Sequence, residues 1–314
     1  MRFVAIVSGD DAQLGAEELK QLSHAKSFKI IGQVVVFESK KFDYTRLAYT
    51  KMLYLVLFTS SVDRLEKDFK KVNWNRHFKE SFRVDRFGLD LDLKYLGSLV
   101  WKRLKNPKVD LKRPKTEFDF IAYGRDVVVG KLLFENRERF VDRRPHLRPG
   151  FHPSSLQPKL ARALINLADP SKGKIVADPF CGTGGILIEA GLMKFKVVGS
   201  DFSEEMVERC KENFKHFKIK GKCFKADARK VQIKADVVVT DPPYGICSTL
   251  NKANRYDLYK RFLDNAYRNL RKGSKVVIMF PEKIKIKTKF KVITEIDHYM
   301  HHSLTRHIVV FKKV

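Results

Sequence analysis

Two β-rich patterns open the chain: "RFVAIVS" and "QVVVFES" place β-branched and aromatic residues in short runs, which predicts strands. "AQLGAEELKQL" and "RLAYTKMLYLVLF" read as helical or mixed apolar segments. Further on, "ESFRVDRF" alternates apolar and charged residues as a strand does. Leu93, Leu96, Val100 and Leu104 recur at helical spacing. "TEFDFIAYG" and "DVVVGKLLF" predict a hairpin turning at Gly124-Arg125-Asp126. We therefore expect an α+β unit over residues 1–60 and a second small unit over 61–135. "NRERFVDRRPHLRPGFH" then breaks the pattern with arginine, proline and glycine, and 136–152 reads as a basic linker. From Pro153 to the end, helix and strand alternate at the spacing of a parallel α/β sheet.

Within that last segment, four successive strand-like runs end in an acid: Asp178, Asp201, Asp227 and Asp241. Parallel strands present their C-terminal ends to one edge, so the four carboxylates are expected in one crevice. Gly182, Gly184 and Gly185 follow the first of them and open a helix, a turn that lets backbone approach a ligand. It matches neither phosphate-binding glycine pattern, and Asp178 would repel a pyrophosphate; an acid suits a ligand with positive charge. Asp201 stands where ribose hydroxyls are bound. Phe202 suits a purine face or plain packing, and Asp227 an exocyclic amine. Met206, Val207, Cys210, Phe214 and Phe217 form a helical stripe that we read as core. Ser154 or Ser155 would cap a helix over 156–168.

The run "VVVTDPPYGI" ends a buried strand in Asp241-Pro242-Pro243-Tyr244. Neither proline donates a hydrogen bond or continues a sheet or helix, so the segment is a stiff bracket. It offers a carboxylate, carbonyl oxygens and a flat ring to a planar group that donates hydrogen bonds.

Composition narrows the partner. In 314 residues, 63 basic side chains face 36 acidic ones, a net charge of +27, which points to a polyanion and above all to nucleic acid. Lys102, Arg103, Lys105, Lys108, Lys112 and Arg113, with Arg137, Arg139, Arg143, Arg144 and Arg148, are the candidates for a phosphate-tracking path. No run is long and apolar enough for a membrane span, and the N-terminus does not read as a signal peptide, so a cytoplasmic protein is expected. Cys181, Cys210, Cys223 and Cys247 form no C-x-x-C pair, and the histidines at 298, 301, 302 and 307 fall around a strand, "RHIVVFKK", that reads as a sheet edge. No metal site is expected from either set.

In order, "DPFCGTGG", "GSDFS", "KADARK" and "TDPPYG" resemble the motifs of class I S-adenosylmethionine-dependent methyltransferases, over about residues 145–314. D-P-P-Y is similar to the signature of members that methylate exocyclic amines of bases. "RRPHLRPGFHPSSLQPKLARALINLA" resembles the methionine-side motif that one subgroup places ahead of the glycine loop. The closer resemblance is to archaeal tRNA (guanine-N2)-methyltransferases acting at position 10, which join a ferredoxin-like domain and a THUMP domain to the methyltransferase. "SFRVDRFG", "VDLKRPKTEFDFIAYG" and "HHSLTRHIVVF" carry it.

That resemblance implies a Rossmann-like, mostly parallel seven-stranded sheet over 153–314, with the ferredoxin-like part at 1–60 and THUMP at 61–135. It implies S-adenosylmethionine as cofactor, held by Phe151, His152, Pro153, Ser155, Asp178, Gly182, Gly184, Asp201, Phe202, Asp227, Ala228 and Asp241. It implies tRNA as partner, a monomer, and a small zinc-binding activator subunit by analogy to eukaryotic relatives. Catalysis is expected from Asp241, Pro242, Pro243 and Tyr244, with the ring stacked on the base, a contact worth about 1–3 kcal/mol. Rival readings are another guanine-N2 site in tRNA or rRNA, a DNA adenine-N6 methyltransferase, and a tRNA-binding module with a vestigial cofactor fold.

Overall fold

A computed structural model describes residues 1–232, 234–243, 252–301 and 304–314. The chain divides into two compact units, Met1–Thr45 with Tyr49–Arg137, and Arg46–Ala48 with Glu138–Val314. None of the described helices is long and apolar enough to cross a membrane.

The first unit contains β1 (Arg2–Val7), α1 (Ala12–Ser23), β2 (Ser27–Ile31), β3 (Val34–Glu38), β4 (Thr50–Ser61), α2 (Leu65–Phe69), β5 (Phe82–Phe87), α3 (Leu93–Trp101), β6 (Thr116–Tyr123) and β7 (Asp126–Glu135). One seven-stranded sheet, ordered β2-β3-β1-β4-β7-β6-β5, runs through the segments 1–60 and 61–135 alike. β4 joins them. Its apolar run "MLYLVLF", which reads as helical or mixed in sequence, is extended because it pairs with β1 on one side and β7 on the other. The turn between β6 and β7 lies at Gly124, where φ is 64°. Beneath β5 to β7, Phe69 stacks on Trp74 with centroids 4.0 Å apart, and Phe118, Phe120, Leu96 and Val100 close the core.

The second unit contains α4 (Pro158–Ala168), β8 (Ile175–Asp178), α5 (Gly185–Leu192), β9 (Lys196–Asp201), α6 (Glu204–His216), β10 (Gly221–Lys225), β11 (Val237–Thr240), α7 (Lys252–Asn269), β12 (Lys275–Phe280), β13 (Lys291–His301) and β14 (Leu304–Lys312). Its sheet is also seven-stranded, ordered β10-β9-β8-β11-β12-β14-β13. The first five strands are parallel, and β14 pairs antiparallel with both β12 and β13. β14 lies between β12 and β13, so "RHIVVFKK" is an interior strand and not the sheet edge expected for it. Its His307 is buried, with Nδ1 2.7 Å from Asp297 Oδ1. Near-continuous apolar runs such as Val237-Val238-Val239 follow from burial on both faces of a parallel sheet.

The expected linker is instead part of this unit from Glu138 onward. Arg143 and Arg148 are buried, which removes both from the phosphate path. The Arg143 guanidinium grips Glu189 on α5 through Nε at 2.5 Å and Nη2 at 3.0 Å. Arg162 of α4 reaches the same carboxylate at 3.1 Å, and Glu138 bonds both arginines at 2.8 and 3.1 Å. The Phe140 ring lies about 5 Å from each guanidinium carbon. Burying Glu189 completely is tolerable only with such partners, so these arginines pin the segment to the helices beneath it.

Candidate active site

Because β8, β9, β10 and β11 are parallel neighbours, their C-terminal ends share one sheet edge. Asp178 and Asp201 are the last residues of β8 and β9; Asp227 and Asp241 follow β10 and β11 by two residues and one. The four acids nevertheless differ in what they hold.

Asp178 is 2% exposed, and its Oδ1 accepts from the Thr240 hydroxyl at 2.6 Å and the Phe180 N–H at 3.1 Å. Burial pushes its carboxyl up to about 7. It clamps the glycine loop to the end of β11 and acts on the crevice through that loop. Asp201 accepts from the Gly182 N–H at 2.9 Å through Oδ2 and from the Ser203 N–H at 3.0 Å through Oδ1, while staying half-buried. Phe202 beside it is 73% exposed, so its ring is free to take a purine face. Asp227 is gripped by Arg229, whose Nε and Nη2 lie 2.7–3.1 Å from its oxygens, and that contact holds its carboxyl below the usual carboxylate range. Ala228 packs in the core, and its carbonyl accepts from Asn265 at 3.1 Å.

The loop has the backbone a ligand cradle requires. Gly182 (φ 50°) and Gly184 (φ 85°) both sit in the left-handed region. A Cβ on Gly182 would meet nothing within 4 Å, so the open side of the loop is clear. The segment over 150–155 is seated against it. Ser155 Oγ lies 2.8 Å from Thr183 Oγ1, and Asn213 of α6 donates to the Gly150 and Thr183 carbonyls at 3.1 and 2.9 Å. Ser155 therefore ties the segment to the loop, and neither it nor Ser154 caps the next helix. That helix starts at Pro158, a residue pre-set for a first turn, with Gln157 at the N-cap and no side-chain capping bond. Phe151 and Pro153 are exposed and His152 half-buried, with His152 Nδ1 2.7 Å from Ser154 Oγ.

Asp241 carries the chemistry that remains unspent. Its Oδ1 is buried and accepts no hydrogen bond from the described residues. Burial drives its carboxyl well above the ordinary range, opposed by the Arg306 cation and reinforced by Asp178. Pro242 is buried, and the Pro243 carbonyl accepts from the Tyr259 hydroxyl of α7 at 2.9 Å. Tyr244 lies outside the described residues. An unpaired buried acceptor costs stability unless a ligand completes it. A cleft of about 920 Å³ lined by Ile175, Lys196, Gly221, Lys222 and Lys234 reaches the opposite, N-terminal ends of β8 to β10, away from these acids.

A family model described as "RMKL-like, methyltransferase domain" matches residues 145–302, and one described as "DNA methylase" matches 20–212, a span that stops before Asp241. The tRNA (guanine(10)-N2)-dimethyltransferase of Methanothermobacter thermautotrophicus is 34% identical over 100% of both chains. The chain belongs to the tRNA (guanine(10)-N2)-dimethyltransferase family. The family member of Methanocaldococcus jannaschii is 36% identical, over 70% of this chain and 64% of its own. TrmN from Thermus thermophilus has the same fold, with a TM-score of 0.51 at 22% identity over 100% of both chains. The residues present fit S-adenosylmethionine, the methyl donor expected from the sequence motifs: an open glycine cradle, the Asp201 carboxylate at the end of β9, an exposed Phe202 and a buried Asp241 Oδ1 with no partner among the described residues.

Of the expected RNA contacts, Lys102, Arg103, Lys105, Lys108, Lys112 and Arg113 are exposed on the first unit, around exposed Trp101 and Leu111. Arg137, Arg139 and Arg144 are exposed too, although Arg137 pairs with Glu135 and Arg139 with Asp142. Sequence reasoning missed Tyr259 and Arg306. Both lie far along the chain from Asp241, and only the order β11-β12-β14 and the packing of α7 bring them near it.

Proposed function

We infer that the protein methylates the exocyclic N2 of guanosine 10 in tRNA, in two rounds, and that folded tRNA in the cytosol is its partner. The observation that carries this reading is the Asp241 Oδ1, buried and unpaired among the described residues, on a diproline bracket at the same sheet edge as the glycine loop. The full-length similarity to proteins named for that reaction supports it.

When bound, S-adenosylmethionine supplies an electrophilic methyl group on sulfur and leaves as a neutral thioether. Asp201 and Phe202 would hold its nucleoside end, and Phe151, His152, Pro153 and Ser155 its methionine end. The N2 lone pair of guanine is delocalised into the ring and is a poor nucleophile. Asp241 and the Pro242 carbonyl each accept one N2–H, which pulls nitrogen toward a tetrahedral shape and frees the pair. The rigid bracket holds that nitrogen in line, so orientation supplies much of the rate. As the amine becomes cationic it sheds a proton to Asp241, whose raised proton affinity suits the task. Asp241 passes that proton to solvent; after one round a single N2–H remains, and the Asp241 carboxylate alone suffices to orient it for the second. The base must leave its stack to reach the bracket. The exposed basic side chains at 102–113 grip the phosphate backbone, in the part of the chain we assign to THUMP.

The test is a tRNA transcript incubated with the enzyme and isotope-labelled cofactor, digested to nucleosides and read by mass spectrometry. Labelled N2-methyl- and N2,N2-dimethylguanosine are expected, and none from a transcript with adenosine at position 10. Label that persists in that transcript overturns the site, and label on adenosine overturns the acceptor.

A further inference from the structure

Behind the glycine loop, three elements bring three thiols together. Cys181 lies in the loop after β8, Cys210 on α6 and Cys223 on the edge strand β10. Their sulfurs all lie within 4.8 Å of one another, with Cys181 Sγ 3.3 Å from Cys223 Sγ. Cys181 and Cys210 are buried, and Cys223 is half-buried.

Two glycines make room for these sulfurs. A Cβ on Gly199 of β9 would come within 3.0 Å of Cys181 Cβ and 3.1 Å of its Sγ. A Cβ on Gly184 would come within 2.7 Å of Cys210 Sγ. Gly199 is also the register partner of Cys223 on β10. The loop is held in place by the Cys181 N–H, which donates to the Ser200 carbonyl at 3.0 Å.

We propose that Cys181, Cys210 and Cys223 form a binding site for a thiophilic d¹⁰ cation, zinc(II) or copper(I), that ties the cofactor loop to α6 and β10. A zinc–thiolate bond of about 2.3 Å sets sulfurs about 3.8 Å apart in a tetrahedral site and about 4.0 Å in a trigonal one. One pair is 3.3 Å apart and every pair lies within 4.8 Å, so small side-chain adjustments seat the ion. The ligand set is all sulfur, which selects soft cations over magnesium or calcium. Each thiol that ligates gives its proton to solvent. A bound cation crosslinks segments up to 42 residues apart and stiffens the loop that carries Gly182 and Gly184.

The probe is cadmium(II), whose thiolate complexes absorb in the ultraviolet, titrated into the full-length Cys247→Ser chain under reducing conditions. This background confines the thiols to the three in question. One cadmium per chain is expected, with a thiolate charge-transfer band and a raised melting temperature. Cys223→Ser, at the least buried position, should lower the band by about a third and weaken binding at least tenfold. Cys181→Ala combined with Cys210→Ala should abolish both band and melting shift, with far-UV circular dichroism checking that the variant folds. A reduced wild-type chain that takes up no cadmium overturns the site. So does unchanged uptake by Cys223→Ser, and so does a chain that loses two thiols to air as a Cys181–Cys223 disulfide and still binds none once reduced.

Discussion

The Tyr259 hydroxyl donates to the Pro243 carbonyl across 2.9 Å, so a fully buried α7 tyrosine sets the position of the diproline bracket. The prolines are stiff, but stiffness alone does not aim Asp241; α7 and its core neighbours Phe280 and Phe262 do. Tyr259→Phe removes one hydrogen bond of about 1 kcal/mol and keeps the ring in place. We expect turnover to fall about five- to tenfold while S-adenosylmethionine affinity, measured by calorimetry, stays within about twofold.

Asp241→Asn keeps the shape of the bracket and removes the carboxylate. Turnover should drop by about 10²–10⁴ with tRNA and cofactor binding retained. Because burial raises the Asp241 pKa, the wild-type rate should climb with pH as the carboxyl ionises, and the Asn variant should lose that limb of the profile. Near wild-type turnover in Asp241→Asn would falsify the acceptor role.

Arg143→Met leaves Glu189 buried with Arg162 and without its bidentate partner. A loss of about 3 kcal/mol is expected on urea unfolding followed by circular dichroism. The salt dependence of tRNA binding should not move, because a buried guanidinium neutralises no phosphate.

Lys102→Glu with Lys105→Glu acts the other way. Both side chains are exposed, so stability should change little. Affinity for tRNA should fall, and the slope of log affinity against log salt should shrink by about one for each phosphate that the protein no longer neutralises. A slope equal to wild type would remove this face from the RNA path.

Asp119 accepts from the Tyr54 hydroxyl at 2.8 Å inside the first unit, and burial lifts its carboxyl to about 6 from a reference of 3.8. A folded pKa above the unfolded one makes its contribution fully present below about pH 4, and lost as pH rises through about 6. The first unit should be about 2–3 kcal/mol less stable at pH 8 than at pH 4 on this account. Asp119→Asn should flatten the difference. The two tryptophans, Trp74 and Trp101, both lie in the first unit, so fluorescence-detected unfolding reads it alone.

The acid at each strand end was legible because it depends only on strand polarity: once β8 to β11 are parallel, Asp178, Asp201, Asp227 and Asp241 share an edge. The glycine turn and the bracket were legible for a similar reason, since positive φ and missing N–H groups are local properties of glycine and proline. The roles within that edge were not. Asp178 is committed to Thr240, 62 residues away, and Asp227 to a neighbouring arginine that the local sequence allows but does not require. Ser155 reads as a cap because capping is local, whereas its partner Thr183 is 28 residues on.

By itself, then, the sequence determined most of the elements, the cofactor loop, the bracket and the family, because dihedral preference and periodicity act over a few residues. Only the tertiary structure decided which charges are spent and which remain. It sank Arg143 and Arg148 into a core that a basic run does not announce, and turned "MLYLVLF" into a central strand. It also gathered Cys181, Cys210 and Cys223 from three elements. Burial and long-range pairing settle those outcomes, and neither is a property of a residue and its neighbours in the chain.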